Sequence, residues 1–150
     1  MDFINQHLLS AITFVPLAGA FVVLLLPKND DRLIKSVAIA ASLVSLALTA
    51  KMWLAFDPGV GLQFEERWAW IPAINVDYRL AVDGLSVTMV LLTAIITPLA
   101  LLAHWKADRN VKLFFFLFLL LQTGMFGVFT ALNFFHWFIF WELGLIPMFF

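Results

Sequence analysis

One carboxylate, Glu142, stands inside the otherwise aromatic and aliphatic run Phe134–Phe150, where His136 is the only other ionisable group. Seventeen residues of helix at 1.5 Å each span about 25 Å, close to the hydrocarbon thickness of a bilayer. Glu142 is the ninth of them and would sit near the midplane. A charge there costs about 2.5–3.5 kcal/mol on insertion scales, so an intramembrane carboxylate is a functional-site candidate. The chemistry it offers is proton binding and release, because burial raises a carboxylate's proton affinity and a nearby cation lowers it. Gly144 and Pro147 lie within the next turn and a half. Pro147 has no N–H to give the carbonyl of Leu143, which is then left seeking water or a polar neighbour. Glu142 is the proposed proton-transfer residue, with Leu143, Gly144 and Pro147 supporting it. The competing reading is a Glu that is permanently paired or protonated.

His136 and His104 are candidate relay groups. His136 precedes Glu142 by six residues, about 240° around a helix, so the two do not share a face. It reads more simply as a residue at the membrane–water interface. His104, beside Trp105 and Lys106, reads more simply as the end of a span. Gln122 and Thr123 could hydrogen-bond to a neighbouring helix as easily as hold water, and packing is the simpler reading.

The elements that must position these groups follow from composition. Hydrophobic residues make up 63% of the 150, charged residues 13%, and Phe alone occurs 17 times, well outside the composition of water-soluble domains. An all-α membrane protein is expected. The absence of Cys excludes a disulfide framework, a thiol nucleophile and a cysteine-held iron–sulfur cluster in this chain. The net charge of -1 and the lack of a basic run give no indication of nucleic acid as a partner. No phosphate loop, zinc spacing or nucleophile–base constellation is present, and no metal site is predicted.

About five transmembrane helices are predicted, at 4–26, 36–56, 84–103, 113–130 and 134–150. The short loops carry Lys28, Arg32 and Lys35, then Lys106, Arg109 and Lys112, while the first seven residues have no Lys or Arg. The positive-inside rule puts those loops in the cytoplasm and the N-terminus outside. In the longer connection, 57–83, apolar residues alternate at Ile74, Val76, Tyr78, Leu80 and Val82. That is a strand period, and Leu62–Trp70 could pair with it about a turn at Pro72-Ala73, giving a small β-hairpin. An irregular interfacial loop fits as well. Asp83-Gly84-Leu85-Ser86 has the composition of a helix start, with Asp83 as N-cap.

Trp70-Ile-Pro72, then Leu80-Ala-Val-Asp83-Gly84-Leu85-Ser86, then Trp141-Glu142 with Ile146-Pro147-Met148, resemble the antiporter-like membrane subunits of complex I, most of all the subunit M (chain 4) type. The resemblance covers the chain as the N-terminal part of such a subunit. It implies a bacterial cell-membrane protein that translocates protons while NADH oxidation and quinone reduction occur elsewhere in a respiratory complex. NADH, FMN, iron–sulfur clusters and quinone are expected in partner subunits and no cofactor in this chain. The implied partners are other membrane subunits, L-like and N-like antiporter subunits among them, and the lipid bilayer. In that family the glutamate matched by Glu142 pairs with a lysine on a later helix, beyond Phe150. A subunit of a multisubunit sodium/proton antiporter, or a non-catalytic scaffold fragment, are the alternatives.

Overall fold

The computed structural model describes residues 6–74, 76–106 and 108–150. Helices α1 (Leu8–Leu25) and α2 (Asp31–Ala55) precede a hairpin of β1 (Gln63–Ile71) and β2 (Val76–Val82), joined through a 3-10 turn, Pro72–Ile74. Helices α3 (Gly84–Ala103), α4 (Val111–Thr130) and α5 (Phe134–Phe149) follow. α1 to α4 are long and apolar enough to cross a membrane, and α5 is an apolar helix of 16 residues. The chain is thus an all-α multi-pass membrane protein carrying one small hairpin.

Hydropathy places the second span at Ser36, but α2 begins five residues earlier. The Asp30 side chain accepts from the Leu33 N–H at 3.0 Å, and this cap lets the helix start among charged residues. Their ammonium groups then find helix ends. Lys35 Nζ donates to the Trp105 carbonyl just beyond α3 at 2.8 Å, and Lys112 Nζ donates to the Leu26 carbonyl at the end of α1 at 2.6 Å. A cation at a helix C-terminus satisfies orphan carbonyls and complements the dipole. Both basic loops therefore close the same end of the bundle.

The hairpin closes the other end. Its antiparallel register pairs Glu66 with Leu80, Arg67 with Arg79, Trp68 with Tyr78 and Ala69 with Asp77. An irregularity between Gln63 and Glu66 coincides with a positive φ of 56° at Phe64. Side chains alternate across the sheet. One face carries the ion pairs Arg67–Asp77 and Arg79–Glu65, each at 2.6 Å. The opposite face carries Glu66, Leu80 and Val82, all buried against the helices. The hairpin also meets the α4–α5 corner, where Leu80 bridges Ala131 and the Leu132 N–H donates to the Arg79 carbonyl at 2.9 Å.

Two apolar clusters fill the bundle. One, toward the hairpin, gathers Leu9, Ile12, Met52, Val87, Val90 and Phe126. The other, toward the basic loops, gathers Val23, Ile34, Ala38, Leu101, Phe115 and Leu119.

Candidate functional site

α5 starts where the Asn133 side chain accepts from the Phe135 N–H at 2.9 Å, and it runs unbroken through Pro147 to Phe149. Its rotation about its own axis is set by glycines. A Cβ on Gly127 of α4 would fall 2.0 Å from the Phe140 ring, and one on Gly124 would fall 2.9 Å from the Gly144 nitrogen and 3.1 Å from the Phe140 carbonyl. Only hydrogen at Gly124 lets the two backbones meet so closely, and only hydrogen at Gly127 leaves room for the Phe140 ring. His136 and Phe140 are the buried residues of α5, and with Gly144 they define the face pressed against α4. Glu142 is two residues from both Phe140 and Gly144, about 200° around the helix, and so points away from the bundle.

On that outward face Glu142 is exposed, among the exposed apolar side chains Phe138, Trp141, Leu145 and Ile146. Eight residues at 1.5 Å place it about 12 Å along a helix of about 24 Å. It has no hydrogen bond or ion pair among the described residues. A carboxylate at mid-helix in an apolar surface is tolerated in a membrane only facing protein or water. The geometry thus presents Glu142 to whatever protein or water covers this face of α5.

The sequence-predicted companions are dispersed. His136 is not the wet interfacial residue that its position near the end of the span suggests. It is buried, with its ring centroid 4.6 Å from that of Tyr78, 4.8 Å from that of Phe140 and 5.9 Å from that of Trp70. The hairpin folds over it, which no helix-only reading of the sequence anticipates. His104 is exposed at the basic end, with Nδ1 2.9 Å from the Ala100 carbonyl and its ring against Phe114. Neither histidine is brought to Glu142. Leu143 and Gly144 are half-buried in the turn toward α4. Pro147 lines a cleft of about 300 Å³ with Leu117, Leu121, Phe150 and Arg109.

A buried carboxylate, Glu66, was not among the sequence candidates. Glu66, only 4% exposed, accepts from the Leu9 N–H at 2.7 Å, the Ser10 N–H at 3.2 Å and the Ser10 hydroxyl. His7, at the cap position of α1, gives no side-chain cap, so a residue more than fifty positions away caps the helix instead. The Ser10 hydroxyl also lies 2.7 Å from the Tyr78 hydroxyl. Burial, above all, pushes the Tyr78 phenol up to about 12; the Ser10 bond opposes this and the Glu66 charge adds to it. The signal in the sequence was the parity of β1, which puts Glu66 on the face of Trp68 and Trp70 rather than with the charged Glu65 and Arg67.

No protein-family model matches the chain. Curated relatives do. Over 149 residues, 96% of this chain, it is 40% identical to NADH-quinone oxidoreductase subunit M of Rhodobacter capsulatus, covering 29% of that protein. It is 39% identical over 143 residues to NAD(P)H-quinone oxidoreductase chain 4 1 of Synechococcus elongatus, covering 27% of it. It is 39% identical over 147 residues to the chloroplastic NAD(P)H-quinone oxidoreductase chain 4 of Staurastrum punctulatum, covering 28% of it. Among solved structures, a chain of the membrane-bound sulfane sulfur reductase, an archaeal respiratory membrane complex, superposes with a TM-score of 0.75 at 20% identity. That match covers 92% of this chain and 21% of the other, and it shows a shared fold. Over nearly its whole length, then, the chain is a homologue of subunit M and chain 4 of the quinone oxidoreductases, spanning between a quarter and three-tenths of the length of those relatives.

Proposed function

We propose that this chain contributes to a proton-translocating membrane-arm subunit of a respiratory NADH:quinone oxidoreductase, with Glu142 as the carboxylate that changes protonation. The observation that carries the reading is the placement of Glu142. It lies at mid-helix on the face of α5 opposite the glycine-packed seam, and no other described residue neutralises it. A cation supplied there by the remainder of the subunit, the lysine the family resemblance implies, would stabilise the carboxylate when close. Its withdrawal would favour protonation. Movement of that cation thus converts into uptake or release of a proton, while Pro147 leaves the Leu143 carbonyl without its regular donor beside the same site. Redox cofactors and quinone belong to partner subunits in this reading, and the L-like and N-like subunits are its neighbours in the membrane.

The test is Glu142→Gln in the full-length subunit within its complex, which keeps size and hydrogen bonding but removes the titration. NADH-driven proton pumping should fall about 100-fold, the lower end of what a positioned proton-transfer group contributes, while the complex still assembles. Glu142→Asp should retain more activity than Gln. A Gln variant that assembles and pumps at the wild-type rate would make Glu142 structural.

Orientation belongs to the same proposal. The basic loops face the cytoplasm of a bacterial cell membrane, and the hairpin and N-terminus face outward. Asn29→Cys and Asn110→Cys should label with an impermeant thiol reagent only from the cytoplasmic side, and Gly61→Cys only from the outside. Labelling of Asn29→Cys and Asn110→Cys from outside would reverse the assignment.

A further inference from the structure

Helices α1, α2 and α4 pack directly on one another, and one contact fixes their relative heights. A Cβ on Gly19 of α1 would fall 2.4 Å from the Ala41 Cβ of α2 and 3.4 Å from Leu119 Cδ1 of α4. These three positions therefore share a level. Toward the hairpin, numbers fall along α1 and rise along α2 and α4. At 1.5 Å per residue, Ser42, Gln122, Thr13 and Thr49 lie about 1.5, 4.5, 9 and 12 Å above that level. Their heights thus step from the Gly19 level toward the hairpin.

All four are 0% exposed. Among the described residues, Thr13 Oγ1, Ser42 Oγ, Thr49 Oγ1 and both polar atoms of the Gln122 carboxamide have no hydrogen-bond partner. Neighbouring hydroxyls show the ordinary solution. Thr93, Thr97, Thr123 and Thr130 each donate to the carbonyl one turn back in their own helix, at 2.9–3.0 Å. Gln122 does not do so, and a buried carboxamide with two N–H donors and an unused carbonyl is costly in an apolar setting. Its site must be completed by something that both donates and accepts. The set is neutral, and α1 and α4 contain no Asp or Glu while α2 has only Asp31, at its far end. A cation would find no charged oxygen here, whereas water satisfies about three such groups at once.

We propose that α1, α2 and α4 hold a short file of bound water, with the Gln122 carboxamide as its hub and the Ser42, Thr13 and Thr49 hydroxyls as its further ligands. The next polar group toward the hairpin on the same face of α1 is Ser10, one turn beyond Thr13, and its hydroxyl already meets Glu66 and Tyr78. The file is therefore directed at the hairpin surface. It is separate from Glu142, which faces away from α4, so it stands whether or not Glu142 moves protons.

The test is a cryo-electron-microscopy map of the full-length protein with its membrane partners, at a resolution where ordered water is visible. Density within hydrogen-bond distance of the Gln122 carboxamide, continuing toward the Ser42 and Thr13 hydroxyls, is expected. A carboxamide bonded directly to protein groups, with no solvent density between the three helices, would overturn the proposal. In Gln122→Leu, assembled in the same complex, the density should disappear; density unchanged in that variant would remove Gln122 from its assigned role. The wild-type map decides the question even if the variant fails to assemble.

Discussion

The hairpin end and the outward face of α5 each carry a glutamate, and the chain treats the two in opposite ways. Glu66 is enclosed by donors of its own protein: two backbone N–H groups at the start of α1 and the Ser10 hydroxyl. Glu142 has no partner among the described residues and faces out across Trp141, Leu145 and Ile146. A carboxylate bonded on every side has its charge committed to holding two elements together. One left open in an apolar face has its charge available to a partner. Glu66 sits between Glu65 and Arg67 and Glu142 between Trp141 and Leu143, but neither setting says which way the side chain faces. The difference arises because the β1 register turns Glu66 inward while the α4–α5 glycines turn Glu142 outward.

The contrast breaks first at Glu66, where the largest stability effect is expected. Glu66→Ala removes the acceptor for the Leu9 and Ser10 N–H groups and should destabilise the chain by about 2–3 kcal/mol, the scale of losing hydrogen bonds to a charged group. Glu66→Gln keeps an acceptor but loses the charge that complements the α1 dipole, a smaller loss of about 1 kcal/mol. Thermal unfolding in detergent should rank wild type above Gln above Ala. In the assembled complex, Glu66→Gln should leave proton pumping near the wild-type rate, opposite to Glu142→Gln. If Glu142→Gln lowered the unfolding temperature as much as Glu66→Ala does, the two sites would not differ in kind.

Gly127 sharpens the other half of the comparison. An added methyl would collide with the Phe140 ring, 2.0 Å from its nearest atom, and overpacking of this sort costs about 1–3 kcal/mol. Because that contact sets the rotation of α5, Gly127→Ala should also disturb the direction of Glu142. A fall in both unfolding temperature and pumping is the expected result. Pumping unaffected by a change that does lower the unfolding temperature would show that the α4 seam does not aim Glu142.

Much of this arrangement can be read in the residues, and the remainder fails for definable reasons. The hydropathy of the spans and the alternation from Val76 to Val82 announce the helices and the hairpin, because both periods reflect a buried face. Glu142 stands out because charge in an apolar run is costly. The early start of α2 is hidden, since Asp30 and Lys35 act through a cap and a tertiary bond that hydropathy does not register. Gln122 reads as a residue that reaches a neighbouring helix or holds water, and among the described residues it finds no partner on another helix; which polar groups end up satisfied depends on packing distances rather than on composition. Glu66 and His136 acquire their surroundings only when the hairpin folds across the bundle. Pairings separated by more than fifty residues leave no local trace.

The smallest effect expected belongs to Asp83, where the hairpin hands the chain to α3. Its carboxylate accepts from the Ser86 N–H at 2.8 Å and the Leu85 N–H at 3.1 Å, while the Ser86 hydroxyl accepts from the Asp83 N–H at 2.8 Å. This reciprocal cap fixes the corner between β2 and α3. The bonds, that from the Ser86 N–H above all, hold the carboxyl below its ordinary 3.8. A depressed folded-state value means that the unfolded chain binds the proton more readily. The contribution is therefore complete above 3.8 and is lost as pH falls through the lowered folded value. Asp83→Ala should cost about 1 kcal/mol at neutral pH, and Asp83→Asn less, because an amide oxygen still caps. The gap between wild type and Asp83→Asn should close on acidification below pH 3.8; a gap of constant size across that range would show that the cap works without its charge.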